Sequence, residues 1–348
     1  MSTREMTRRQ FLCKSSAAAL GAAAALGASS SLRHSSVYAQ AGRHKVVEVA
    51  SEAAKAAEGP SAELVTQMLT AGLRELTGQG DLGKALARFV SPQDVVGLKV
   101  NARSAPGLVT SKLLVQAVAQ GCRLAGVPEN NIVIWDRFQR DLVVCGYEPN
   151  QSQQGVRCCG SEWGSAIGYD AEVFAEADPP DENGSRRSLI SSIVTRHLTK
   201  IIGLPVLKDH DRAGVTFALK NVAYGSCNNT ARSHPAPHNC DPLIAEVYRL
   251  PVVRDKTVLV IGDVLRGQYD GGPDFNAAFI FNYGALLIST DPVAADRIGL
   301  QILDARRAEA NLKPLTGSER HPNNLLTAAK YDLGVFDLNK IDHVKVAV

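Results

Sequence analysis

Five short apolar runs constrain the fold of this chain more than any other feature. DVVGLKVN (94–101), NIVIWD (131–136), KIIGLPVLKDH (200–210), TVLVIGD (257–263) and ALLISTD (285–291) are continuous and do not alternate polar with apolar. A strand with one wet face alternates with period two, so unbroken apolar runs of this length mark strands covered on both faces, as in parallel sheets. Between them lie helix-spaced segments at 62–78, 111–126, 241–251 and 291–310. Strand and helix in alternation predict an α/β fold with an open, mostly parallel sheet flanked by helices. The stretch from Cys145 to Arg187, rich in Gly, Gln, Ser, Asp and Pro, breaks the pattern. It reads as a loop-rich insertion near 145–190 with a hairpin, laid over the sheet or its edge.

The runs end in chemistry. In order they finish on Lys99 and Asn101, on Asp136, on Lys208, Asp209 and His210, on Asp263, and on Thr290 and Asp291. The carboxyl ends of parallel strands share one rim, where ligands of open α/β sheets bind, so these residues are expected to converge. Strand ends carry polar residues in any case, and Asp291 before Pro292 also reads as a helix N-cap. As a set, with Lys220 and Asn221 just downstream, they suit an anion held by lysine and a divalent or redox metal held by Asp and His.

YGSCNNTARSHPAPHNCDPLIAEV places Cys227, His234, His238 and Cys240 ahead of a helix. Two thiols and two imidazoles can chelate a soft or borderline metal, although the spacing matches no familiar zinc finger; a Cys227–Cys240 disulfide is the competing reading. Gly271 and Gly272 in DGGP can bring backbone amides close to an anion, and the same tetrapeptide also serves as a plain turn. Neighbouring Cys158 and Cys159 read as a redox or metal-contact pair or as two half-buried thiols. No CxxC, GxSxG, HExxH or Walker pattern occurs, which sets aside the common thiol-redox, hydrolase and phosphotransferase classes.

The N-terminus addresses the compartment. Arg8 and Arg9 stand before a modest Ala-rich stretch, and VYAQA at 37–41 offers small-residue cleavage points; this is a twin-arginine export signal over residues 1–41, with the twin-arginine translocase as partner during export and a periplasmic destination. The apolar stretch is short for a bilayer span, and residues 42–348 offer no second one, so no stable membrane span is expected in the mature chain, read as a single domain. Beyond the leader 33 basic residues face 34 acidic ones, a net charge of −1 against +3 for the whole chain. A near-neutral body exerts no general pull on nucleic acid.

The order of these motifs resembles the DUF362 family from about Asp94 to Gly299. VVGLKVN is similar to its early strand ending in Lys99 and Asn101, and IVIWD to the next, with Asp136. LPVLKDHDRAGVTFALKNVAYG carries Lys208, His210, Gly214, Thr216, Lys220, Asn221 and Gly225 at family positions. His238 ahead of IAEV, Asp263 in VLVIGDV, the GGP turn, and Asp291, Pro292, Ala294 and Asp296 in STDPVAADRIG complete the resemblance. Many relatives add a ferredoxin-like domain with repeated CxxC spacing, which this chain lacks, and Asp209 stands where an uncharged residue is usual. The resemblance implies a fold and site positions but no reaction.

Two functional expectations follow. The first is an exported, metal-assisted enzyme acting on a small anion: Lys208, His210, Lys220 and Asn221 catalytic; Lys99, Asn101, Asp136, Gly271 and Gly272 binding substrate; His210, His238, Asp263, Asp291, Cys227 and Cys240 holding metal. Either lysine is alternatively a nucleophile. The second is a periplasmic metal or cofactor carrier without turnover, in which the Cys227–Cys240 segment captures metal and the lysines are dispensable. A purely structural ion network is the third way to use the same charges.

Overall fold

The structure, a computed structural model, describes residues 44–56 and 58–348; the export leader expected at 1–41 lies outside the described residues. Ten strands of these residues form one sheet, ordered β12 (Ile341–Ala347), β1 (His44–Ala50), β11 (Ile280–Ser289), β10 (Thr257–Gln268), β7 (Lys200–Leu204), β2 (Val96–Val100), β3 (Ile132–Phe138) and β4 (Arg157–Glu162). Off that path, β8 (Val206–His210) pairs with β10, and β9 (Gly214–Thr216) pairs with β8. The ladders β2–β3, β2–β7, β3–β4, β10–β7, β10–β8 and β1–β12 are parallel; β11 runs antiparallel to both its neighbours. The fold is therefore the α/β class expected, with a mostly parallel sheet.

Nonalternating strands require cover on both faces, and two apolar cores supply it. Helices α1 (Ala62–Thr77), α2 (Leu82–Leu86) and α3 (Lys112–Leu124) contribute Met68, Leu69, Leu86 and Leu114 to one core, shared with Val47 and Val49 of β1. On the other face, α5 (Ala218–Gly225), α6 (Leu243–Tyr248), α8 (Pro292–Glu309) and α9 (Asn323–Lys330) pack Leu219, Val222, Ile244, Ile298 and Leu325 against Val46, Trp135 and Phe217. Each fully buried Leu or Ile of these layers contributes about 1.5–3 kcal/mol of transfer free energy. The short helices α4 (Gln139–Val144) and α7 (Pro251–Arg254) complete the set.

The run at 200–210 is two strands. Pro205 has no N–H for a ladder, and its carbonyl accepts from Asp263 N–H at 2.7 Å. β8 continues along β10 past that break while β2 has already ended, and β9 folds back on it, so the β8–β9 hairpin stands beyond the ends of β2 and β3. The 145–190 segment adds β4 to the sheet edge and forms a hairpin of β5 (Tyr169–Glu176) and β6 (Arg187–Ser191). His44–Val348 is one compact unit, and among the described residues no helix is long and apolar enough to cross a membrane.

Candidate functional site

The carboxyl ends of β2 and β3, the β8–β9 hairpin, α5 and the 229–235 loop enclose a cavity of about 690 Å³. Lys99, Asn101, Asp136, Lys208, His210, Lys220 and Asn221 all line it. They divide into a satisfied floor and an unsatisfied wall.

The floor is a hydrogen-bond network centred on Lys99, Asp136 and Asn221. Lys99 Nζ donates to Val100 O at 2.6 Å, Asp136 Oδ1 at 2.6 Å and Asn221 Oδ1 at 3.1 Å, which uses its three protons. Asp136 also accepts from Ala102 N–H and Arg137 N–H, each at 2.7 Å. Asn221 Nδ2 returns a bond to Lys99 O, and Asn101 Nδ2 reaches Asn221 Oδ1 at 3.4 Å. Burial pushes the Lys99 ammonium below its ordinary range, and Asp136 opposes that. Gly225 is glycine because a Cβ there would overlap the Lys99 side chain. Lys99 and Asp136, expected to bind substrate, both line the cavity, but the three Lys99 protons and three acceptor sites of the Asp136 carboxylate already fix the ends of β2 and β3 to α5.

The wall carries the free groups. Strand alternation puts Lys208 and His210, each 1% exposed, on one face of β8. Asp209 faces the other way, where it meets the Arg320 guanidinium and accepts from Gly272 N–H at 2.8 Å. The described residues give Lys208 Nζ one hydrogen-bond partner, Ser104 Oγ at 2.7 Å, and no carboxylate. Burial, helped by the like charge of Lys220, brings its ammonium down to about 7. Lys220 Nζ rests 4.7 Å from the ring centroid of Tyr224, one turn along α5. Thr216 Oγ1, Asn101 Oδ1 and His210 Nε2 are buried without a partner, and a buried polar atom left unpaired is a cost that a ligand would relieve. Asp296 positions this wall from α8: its carboxylate accepts from Ala218 N–H at 2.5 Å and Leu219 N–H at 3.0 Å, capping the helix that carries Lys220.

Behind the wall, His210, His234 and Cys240 each bring a ligand atom within 4.8 Å of the others, a group able to hold a metal ion. His234 Nδ1–H donates to Thr230 O at 2.9 Å, which leaves Nε2 with its lone pair free, the tautomer a metal ligand needs. Burial holds His234 down to about 4 and His210 far below the usual imidazole range, the Lys220 charge adding in both, so both rings are neutral near pH 7. His210 Nδ1 accepts from Arg212 N–H at 3.0 Å and Ala213 N–H at 3.2 Å, which places its proton on Nε2 as a donor. In the other tautomer Nδ1–H would donate to Asp211 Oδ1, 3.1 Å away, in place of accepting the two amides, and Nε2 would be free for a metal. Burial raises the Cys240 thiol and Lys220 opposes it. Asn239 and Cys240 both lie in the left-handed region (φ 48° and 72°), and Cys240 N–H is pinned to Ser233 O at 2.7 Å; such strain in non-glycine residues concentrates at functional sites.

Other expected ligands lie elsewhere. His234, not His238, joins the group, because the turn after Ala231–Ser233 aims it at the cavity. Cys227 is a buried free thiol outside the group, pushed up to about 12 by burial, and all six described cysteines are free, so the Cys227–Cys240 disulfide is not formed. Asp263 is not at a strand end, since β10 runs on to Gln268; it accepts from Ser111 N–H at 2.7 Å and Leu265 N–H at 3.0 Å and lines a separate cavity. Asp291 ends β11, whose antiparallel course carries it away from the rim; it caps α8 through Val293 N–H and Ala294 N–H, both at 2.9 Å. Gly271 and Gly272 stand outside the cavity lining and form the turn that presents Pro273 and Asp274 to it. Sequence reasoning missed Ser104 and Tyr224; Tyr224 was signalled by its spacing of four from Lys220.

No curated protein matches this chain. Among solved structures it is similar to a Thermotoga maritima protein (TM-score 0.40, 10% identity, covering 72% of this chain and 59% of the other) and to the lactate racemase apoprotein from Thermoanaerobacterium thermosaccharolyticum (TM-score 0.39, 11% identity, 76% and 58%). The chain spans less than two thirds of the length of each. The model of DUF362, a domain of unknown function, matches residues 96–301, which hold every wall and floor residue described above, and the chain belongs to that family.

Proposed function

We propose that this chain is an exported enzyme that binds a small anion in the cavity and acts on it with the help of a metal held by His234, Cys240 and His210. The observation that carries the reading is the pairing of two lysines lacking carboxylate partners, Lys208 and Lys220, with a His/His/Cys group whose two imidazoles line the same cavity. A buried cation without a counter-ion is costly, and an anionic ligand offsets that cost. The donor set fits a borderline metal such as zinc, cobalt or copper. When bound, such a metal supplies Lewis acidity toward a ligand oxygen. The lysines orient the anion, Thr216 adds a hydrogen bond, and the floor network keeps β2, β3 and α5 in register. The twin-arginine leader supports action in the periplasm.

The alternative, a metal carrier without turnover, uses the loop group but leaves Lys208 and Lys220 unexplained. Cobalt(II) and inorganic phosphate separate the two. An exported enzyme of this kind shows a thiolate–cobalt band lost in Cys240→Ser, and phosphate perturbs that band unless Lys208 is replaced by Met. Absence of the band, or a phosphate effect that survives Lys208→Met, removes the reading.

A further inference from the structure

The cavity is far larger than a small oxyanion needs, and an aromatic ring on its lining continues outside it into Arg140 and Trp163. Phe138, at the end of β3, lines the cavity. The Arg137 and Arg140 guanidinium carbons lie 4.8 and 5.3 Å from its ring centroid, and Arg140 also lies 4.8 Å from that of Trp163. Arg137 is fixed by Glu162 Oε1 and Thr230 Oγ1, both at 2.8 Å. Trp163 directly follows β4, which is parallel to β3, so it emerges on the same rim. It is 58% exposed and holds φ 75°, a left-handed conformation unfavourable for a bulky residue. Core packing does not account for it there, because most of the indole faces solvent. A strained, exposed aromatic joined by alternating cations and rings to a cavity wall is the arrangement that receives stacked planar ligands.

Resting on the anion-binding reading above, we propose that the ladder of Arg137, Phe138, Arg140 and Trp163 seats a planar aromatic body, and that the ligand is an aromatic oxyanion of the nucleoside monophosphate or aryl phosphate kind. Its doubly charged group answers Lys208 and Lys220, and its ring lies on the ladder.

The test titrates the mature protein with AMP, ribose 5-phosphate and inorganic phosphate by calorimetry and intrinsic fluorescence. The chain has two tryptophans, and Trp135 is fully buried, so a ligand at the mouth reports through Trp163. The proposal expects AMP to bind about tenfold or more tighter than ribose 5-phosphate, within the range of one base stacked on an aromatic side chain. AMP is also expected to change the tryptophan emission. Trp163→Leu and, separately, Phe138→Leu are expected to erase most of that preference while leaving the ribose 5-phosphate affinity unchanged. Equal affinity of AMP and ribose 5-phosphate, or a preference that survives both substitutions, overturns the aromatic seat and leaves the anion site standing. Failure of all three probes, inorganic phosphate included, removes the anion-binding reading and the inference with it.

Discussion

Replacing Asp136 by Ala and Lys99 by Met separates structural charges from ligand-binding ones. Asp136 receives three donors: Lys99 Nζ at 2.6 Å and the Ala102 and Arg137 amides at 2.7 Å each. Its removal leaves two amides unpaired and a buried ammonium without its counter-ion. Breaking a buried pair from the acid side costs about 3–5 kcal/mol, which at about 2–4 °C per kcal/mol lowers the melting temperature by roughly 10 °C. Lys99→Met costs less, about 1–3 kcal/mol, because Asp136 keeps both amide donors. Lys99 has no free proton to offer the cavity, so Lys99→Met should leave phosphate affinity within about twofold. Lys208→Met should weaken it about 10- to 150-fold, the worth of one charge-assisted hydrogen bond. Urea unfolding and calorimetric titration measure both quantities. An Asp136→Ala penalty below about 1 kcal/mol, or a Lys99→Met loss of affinity as large as that of Lys208→Met, refutes the division into floor and wall.

Other consequences follow from the same contacts. Asp296→Ala strips the cap from α5 and leaves the Ala218 and Leu219 amides unpaired; chemical denaturation should show a loss of about 2–4 kcal/mol, and anion binding should weaken with it because Lys220 is displaced. Lys208 releases its proton near pH 7 in the free protein, so above that pH an anion that requires the ammonium must bring a proton with it, and affinity measured by calorimetry should fall by up to about tenfold per pH unit. The sign for stability is the reverse: with a folded value near 7 against an ordinary 10.5, the unfolded chain binds the extra proton between those values. The unliganded protein should therefore gain stability as pH rises through that window, and Lys208→Met should flatten the profile. His234 stays unprotonated until about pH 4, so titration of the metal-loaded protein should show that its protonation does not expel the ion at pH 5 or above.

The sheet was legible because strands buried on both faces advertise themselves, and the rim was legible because Lys99, Asp136, Lys208 and His210 end such strands. What sequence could not supply was direction and register. ALLISTD looks like any buried strand, yet it forms the antiparallel arm of a hairpin with β10, which sends Asp291 to the opposite rim. Strand length was equally hidden: Asp263 reads as a terminus only if β10 stops there, and it continues to Gln268. β1 and the edge strand β12, HKVVEVA and IDHVKVA, lack long apolar runs because polar residues interrupt each of them. His234 and His238 are equivalent in composition and spacing. The backbone path through Asn239 and Cys240, both left-handed, decides which imidazole meets the thiol.

Elemental analysis of the purified protein is the most direct test, with His234→Ala, Cys240→Ser and His238→Ala alongside. The account predicts near-stoichiometric metal in the wild type and in His238→Ala, and its loss in His234→Ala and Cys240→Ser. A wild type without metal, or metal that persists in His234→Ala and leaves with His238→Ala, contradicts it.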